Sequence, residues 1–323
     1  MATEGRGGER ARPGPSVAIR RHLWLLSASM SARGPASSPP LATRLRALWS
    51  NAERTGLSRE QCAAEEARQL DEFVARWRRA LLLPGETDLV RSILREIGGW
   101  RGIDDLEAVR HRCTTALADL KRHWQSTVAA VDGSSVERYY DTADLCIEEL
   151  MWWHTLEDDR SPLAYVAALE LATAAGGHRY LDFGSGVGSG ALLFHDHGFD
   201  VTLADVSSVL LAFCRQRFAT RGRTATFIDL KEADLPATHF DFITAMDVFE
   251  HLVDPVATVD ALDRSLKPGG YIYGRFAADE DDDRPQHIVH DFGPVLGRFS
   301  VLGYTEAFRD DWLWGHLAFR KPL

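Results

Sequence analysis

Residues 180–207 read YLDFGSGVGSGALLFHDHGFDVTLADVS. A short apolar run at 180–183 breaks into glycines at Gly184, Gly186, Gly188 and Gly190, continues with helical spacing, and returns as a second apolar run at 201–205. The order predicted is strand, glycine loop, helix, strand. Glycines between the carboxyl end of a strand and the amino end of a helix let a ligand approach bare backbone, while the helix's free N–H groups attract an anionic group. The second strand ends in Asp205, seventeen residues after Gly188, where a carboxylate can take both hydroxyls of a ribose. The stretch therefore predicts a ligand that carries a ribose.

Two cofactors compete for this loop. Read from Gly186, the spacing Gly186, Gly188, Ala191 satisfies the dinucleotide pattern with alanine in its third place. Read from Asp182, the run is Asp-x-Gly-x-Gly-x-Gly. The second frame sets a carboxylate at the last turn of the strand, facing the loop, where it meets an ammonium and repels a pyrophosphate. S-adenosylmethionine has an ammonium and no phosphates, so this frame favours it over NAD. The glycines alone leave both open.

At 323 residues the chain has room for one large α/β domain with an appendage, or for two modest domains. Cys62, Cys113, Cys146 and Cys214 are scattered without a Cys-x-x-Cys pair, which argues against a zinc knuckle or a secreted disulfide framework. Free thiols in a reducing compartment are expected, and with them a cytoplasmic location. The formal charge is −10, and the first fifty residues carry eight arginines against Glu4 and Glu9, so the remainder is more acidic still. An acidic body is a poor binder of nucleic acid. No run approaches the roughly eighteen apolar residues of a membrane span, and the apolar core Leu23-Trp24-Leu25-Leu26 is too short for a secretory signal. Neither nucleic acid nor membrane is expected as a partner.

Residues 1–40 are rich in Gly, Pro, Ser and Arg and read as a disordered leader. From 41 to 133 the spacing is helical. Leu70, Phe73, Val74, Trp77 and Leu81 form one stripe, Leu89, Ile93 and Ile97 a second that Gly98-Gly99 closes, and Leu106 to Trp124 a third. These helices are expected to form a small bundle. A single helix is expected over 134–154, carrying Tyr139-Tyr140 and Trp152-Trp153-His154, followed by a helix that Ser161 caps and Pro162 opens. After Asp205 the alternation continues: Ser207 caps a helix to Thr220, and strands follow at 225–230, 240–246 and 271–276. Two last strands, at 304–308 and 312–319, are joined by a link too short for a helical crossover and must be antiparallel. The fold class expected is α/β. Residues 134–323 should form a doubly wound, mostly parallel sheet with a C-terminal antiparallel hairpin, preceded by the N-terminal helical segment.

Four segments together resemble the seven-stranded class I S-adenosylmethionine-dependent methyltransferases, in particular the small-molecule branch with the ubiquinone-pathway O-methyltransferases. They are 181–188, 203–205, 240–252 and the Leu-Lys-Pro-Gly-Gly run at 266–270. The resemblance spans 162–321. It implies S-adenosylmethionine as cofactor, with Gly184, Gly186 and Gly188 lining its methionine part and Asp205 holding its ribose. It also implies that Met246 and Asp247 lie beside the cofactor at the end of the fourth strand, and that Asp229 is the candidate acid for the adenine. It leaves the acceptor unnamed beyond a small molecule, and the oligomeric state open. An NAD-linked oxidoreductase is weakened by the lack of a Tyr-x-x-x-Lys pair after the fourth strand. A non-catalytic cofactor binder whose helices engage a partner is the other alternative.

A sulfonium methyl is already a strong electrophile, so the protein has to align the acceptor and, for a hydroxyl, remove its proton. Ligands of open α/β sheets bind at the carboxyl ends of the strands, which makes His251 and His287 the candidate bases. The set Asp247, Glu250, His251 and His287 also resembles the metal constellation of small-RNA 2′-O-methyltransferases. Aspartate at 247 shortens one arm of that set, and a metal-free site is expected.

Overall fold

The computed structural model describes residues 39–277 and 284–323. Nearly all of the expected leader, and the acidic run Asp279–Asp283, lie outside the described residues. Helices α1 (Leu41–Ser50), α2 (Ala52–Thr55), α3 (Arg59–Leu81), α4 (Leu89–Arg101), α5 (Leu106–Thr127), α6 (Gly133–Thr142) and α7 (Cys146–Trp153) precede the sheet. Their starts follow from the capping residues. Ser58 and Gln61 form a reciprocal capping box on α3, and Asp88, Asp105 and Asp132 accept from the free N–H groups of α4, α5 and α6.

A short 3-10 turn, Ser161–Leu163, leads into α8 (Ala164–Ala174). The chain then alternates through β1 (Arg179–Phe183), α9 (Ser189–Asp196), β2 (Asp200–Asp205), α10 (Ser208–Thr220), β3 (Thr226–Asp229), β4 (Phe240–Ala245), α11 (Pro255–Ser265), β5 (Leu266–Arg275), α12 (Gly293–Val301), β6 (Thr305–Arg309) and β7 (His316–Arg320). Among the described residues these strands form one seven-stranded sheet in the order β3-β2-β1-β4-β5-β7-β6. β1 to β5 run parallel, and β7 pairs antiparallel with both β5 and β6. This is the doubly wound sheet with an antiparallel closing hairpin that the sequence predicts.

Alternation along the strands sends side chains to opposite faces and so makes two cores. Tyr180, Phe242, Tyr273, Val201 and Leu203 face the layer of α8, α9 and α10. Leu181, Ile243, Ile272 and Leu266 face α11 and α12. The stripes of the N-terminal helices, Phe73 and Trp77 of α3 with Ile93 and Ile97 of α4, are buried in the first of these cores. Trp77 stacks on Tyr165 of α8 and its indole N–H donates to the His154 carbonyl at 3.0 Å. The described residues form one compact unit. No helix among them is long and apolar enough to cross a membrane.

Ser161 does not cap a helix: it opens the 3-10 turn before α8 and its hydroxyl donates to Asp159. Three further local expectations change. The helix expected over 134–154 is two helices, broken where Ala143 turns to ψ 63. No residue there breaks a helix by itself. Beside the break Arg101 of α4 donates to the Asp144 carbonyl at 2.9 Å and to its carboxylate at 2.7 Å, while the same carbonyl accepts the Ile147 N–H at the start of α7. Gly98-Gly99 does not end α4, which runs on to Arg101 and is closed by Gly102 at φ 69. Gly98 instead lets the helix pack closely, since a Cβ there would lie 2.5 Å from the Ile103 carbonyl oxygen. Finally, Trp312 lies in the hairpin link rather than in β7. The Asp310 carboxylate accepts from the N–H groups of Trp312, Leu313 and Trp314 and winds that link into a turn.

Candidate cofactor and active site

The glycine loop leaves the carboxyl end of β1 where the sheet's order reverses, between β1 and β4, which is the place where open α/β sheets bind ligands. Gly184 and Ser185 donate to the Ala204 carbonyl at 2.8 and 3.2 Å, so the loop stays tied to β2 as it leaves β1. Gly186 and Gly188 sit at φ 51 and 71, a conformation other residues enter only with strain. Gly188 caps α9 in the left-handed conformation. Two side chains wall the glycines. A Cβ on Gly184 would meet Val248 at 2.6 Å, and one on Gly186 would meet Leu150 of α7 at 2.9 Å.

Asp205 ends β2 with little exposure. One of its oxygens accepts from the Gly186 N–H at 2.8 Å and the other from the Ser207 N–H at 2.9 Å. Each oxygen keeps a second lone pair, so both can still accept a hydroxyl. Burial pushes this carboxyl up to about 6, against the lowering effect of those two N–H groups. Asp182 lies beneath the loop rather than in its mouth. It is fully buried, accepts from the Ala191 N–H at 3.0 Å, Thr244 Oγ1 at 3.1 Å and the Tyr165 hydroxyl at 3.3 Å, and is raised by burial to about 7. In that position it braces β1 against β4, α8 and α9.

Asp229 ends β3 beside Asp205. Burial works to raise its carboxyl, but bonds from Lys231 and Ser208 outweigh this and hold it below the usual range. Lys231 also reaches Asp141 of α6 at 3.2 Å, tying that helix to this end of the site. Met246 is buried at the end of β4. Asp247 follows at φ 48 and turns to the Arg275 guanidinium, 3.5 Å away.

The histidines come together with one acid. Glu250, His251 and His287 offer ligand atoms that all lie within 4.8 Å of one another, and the two imidazoles are 4.9 Å apart. The backbone holds this corner, because Ile288 and Val289 both donate to the Glu250 carbonyl. His251 Nδ1 lies 3.0 Å from the Gln286 carbonyl, so Nδ1 carries the proton and Nε2 is left as the acceptor. Burial, then the neighbouring His287, push His251 down to about 3, and it stays neutral at physiological pH.

The aromatic pairs of the helices before the sheet exceed what packing needs and are candidate walls for the substrate. The Tyr140 ring lies 6.0 Å from that of His251, and its hydroxyl is buried without a hydrogen-bond partner among the described residues. Of the two aromatic pairs on the helices before the sheet, it is therefore Tyr140 that faces the site. Trp152 and Trp153 donate instead to Asp158 and Asp159 in the loop after α7. Arg284 reaches back to Glu149 of α7 at 3.1 Å.

A family model described as "Methyltransferase domain" matches residues 152–315. The ubiquinone biosynthesis O-methyltransferase of Vibrio cholerae serotype O1 is 28% identical over 152 residues, which is 44% of this chain and 59% of the relative. The enzyme of the same name from Pectobacterium atrosepticum is 30% identical over 131 residues, 38% of this chain and 54% of that one. The chain thus spans between half and two thirds of the length of these curated relatives. Among solved structures, magnesium protoporphyrin IX methyltransferase from Synechocystis PCC 6803 aligns at TM-score 0.46 and 18% identity, covering 60% of this chain and all of that one. N-methyltransferase NodS from Bradyrhizobium japonicum aligns at TM-score 0.45 and 21% identity, covering 59% of this chain and 98% of that one. The family match covers half of the chain and takes in the glycine loop, Asp205 and the Glu250–His251–His287 corner, and the chain belongs to the methyltransferase-domain family.

Proposed function

We propose that this protein transfers the methyl group of S-adenosylmethionine, the cofactor of the methyltransferase family, to a small-molecule acceptor. The observation that carries the reading is the pairing of the glycine loop with Asp205 at the point where the sheet order reverses. In this reading the backbones of Gly184, Gly186 and Gly188 receive the methionine part and Asp205 takes the ribose hydroxyls. Asp229 stands at the adenine end, and Met246 and Asp247 flank the sulfonium. Asp182 acts from below, by holding the loop's two ends together. Isothermal calorimetry should give binding of S-adenosylmethionine and S-adenosylhomocysteine and none of NAD. Binding of NAD alone would overturn the reading in favour of an oxidoreductase.

At the acceptor end, His287 serves as base in a metal-free site, with the neutral His251 as a hydrogen-bond acceptor beside it. Asp247 supports this version, because its carboxylate is engaged in an ion pair with Arg275. The convergence of Glu250, His251 and His287 favours a second version in which they hold a divalent cation, whose oxygen and imidazole preferences suit Mg, Mn or Zn. The cation would supply Lewis-acid activation of a hydroxyl acceptor. Titration of the protein with each metal separates the two without knowledge of the acceptor. The metal-free version expects no site that His287→Ala removes. A stoichiometric site lost in both His251→Ala and His287→Ala would establish the second version.

A further inference from the structure

The glycine loop is held from behind by α10. Cys214 and Arg217 lie on that helix and touch the loop, and Arg221 follows as its C-cap residue. Cys214 Sγ donates to the Gly186 carbonyl at 3.2 Å, and Arg217 Nη1 donates to the Val187 carbonyl at 2.5 Å and to Ser189 Oγ at 3.0 Å. These bonds draw two consecutive loop carbonyls toward α10. On the other side of the second peptide the Gly188 N–H donates to the Ser185 carbonyl at 2.8 Å, and the Gly186 N–H donates to Asp205, so the loop's course is fixed from both sides.

Arg217 is itself held by the N-terminal helices. Its side chain is fully buried, and Nε lies 3.2 Å from the carboxylate of Glu96 on α4. That carboxylate is shared with Arg221, which also donates to the Leu81 carbonyl at the end of α3 at 2.7 Å. A second branch runs through Ser189. Ser189 Oγ, which accepts from Arg217, is hydrogen-bonded to His154 Nδ1 at 2.9 Å, while the His154 carbonyl accepts from Trp77 of α3. Burial, and then the charge of Arg217, push the His154 pKa down to about 3, so the imidazole is neutral. Glu96, Leu81 and Trp77 all lie before residue 152, where the family match begins.

We infer that Arg217 is a positioning residue for cofactor binding, and that Glu96 makes the N-terminal helices part of the cofactor loop's support. A guanidinium suits this place because its fixed fork meets a carbonyl, a hydroxyl and a carboxylate at once, whereas a lysine has one point of charge. The inference rests on the cofactor reading above, and its test separates the two.

Arg217→Gln, Arg217→Lys, Glu96→Gln and a control, Glu148→Gln, are compared with wild type. Glu148 is another buried carboxylate that ties the same helices together but does not touch the loop. S-adenosylhomocysteine affinity and the thermal midpoint of the free protein are measured for each. Arg217→Gln is expected to weaken affinity by about tenfold or more, the factor that corresponds to losing hydrogen bonds to a charged group. Arg217→Lys and Glu96→Gln should fall between it and wild type, and Glu148→Gln should lower the midpoint while keeping affinity.

Amide exchange in the free protein supplies a second readout, which also serves if Arg217→Gln does not fold. Gly186 and Gly188 should exchange faster in Arg217→Lys while Leu181 and Leu203 in the flanking strands do not. Unchanged affinity together with unchanged exchange at Gly186 and Gly188 would reduce Arg217 to a packing role and overturn the inference. If wild type did not bind the cofactor at all, the functional reading would fall. Exchange at the glycines would still decide whether Arg217 positions the loop.

Discussion

Asp205→Ala is expected to weaken S-adenosylmethionine binding by about a hundredfold, close to 3 kcal/mol, in a protein that still folds. The upper end of that range applies because the carboxylate has two tasks. It is placed to accept the ribose hydroxyls, and it already accepts the Gly186 and Ser207 N–H groups at 2.8 and 2.9 Å, so alanine frees the loop as well as removing the ligand's partner. Asp205→Asn should also bind weakly, because its NH2 would confront one of those two N–H groups. Calorimetry with S-adenosylhomocysteine, with circular dichroism to confirm folding, checks both. Affinity within a factor of about two of wild type would remove Asp205 from the site.

Glu148→Ala is expected to cost about 3 to 5 kcal/mol of folding stability, the range for breaking a buried ion pair from one side. Glu148 is fully buried in α7 and accepts four bonds, two from Arg101 and two from Arg112, at 2.7 to 2.9 Å. Without it, Arg101 keeps Asp144, but Arg112 loses the carboxylate it points to. The α4–α5 pair would then be joined to α7 mainly by apolar contacts. Urea denaturation measures the difference. A loss below about 1 kcal/mol, the range of surface pairs, would show that the helices are held by packing alone.

Much of the site could be read in advance because its requirements are local. A loop that turns at φ 51 and 71 needs glycine at those places, and Gly186 and Gly188 announce it whatever the rest of the chain does. Asp205 was legible for the same reason: a carboxylate at the end of the next strand is a matter of strand length and register, and β1 and β2 pair in register from Arg179 with Asp200 onward. The closing hairpin followed from the shortness of its link. Asp182 shows the limit of such reading. Its place at the end of β1 was visible, but the three donors that occupy it come from Tyr165, Ala191 and Thr244, on three other elements.

The sequence by itself determined the order of elements, the parallel sheet with its antiparallel edge, and the loop and carboxylate at its centre, because periodicity, glycine and short links act over a few residues. Tertiary structure alone decided which distant partner each charged or aromatic side chain takes. Asp247 pairs with Arg275, Tyr140 and not Trp152 turns to the site, and Arg101 takes the Asp144 side chain and carbonyl beside the break at Ala143. These choices join residues tens to more than a hundred positions apart. The free energy that selects among them comes from burial and ion pairing, which exist only once the helices are packed on the sheet.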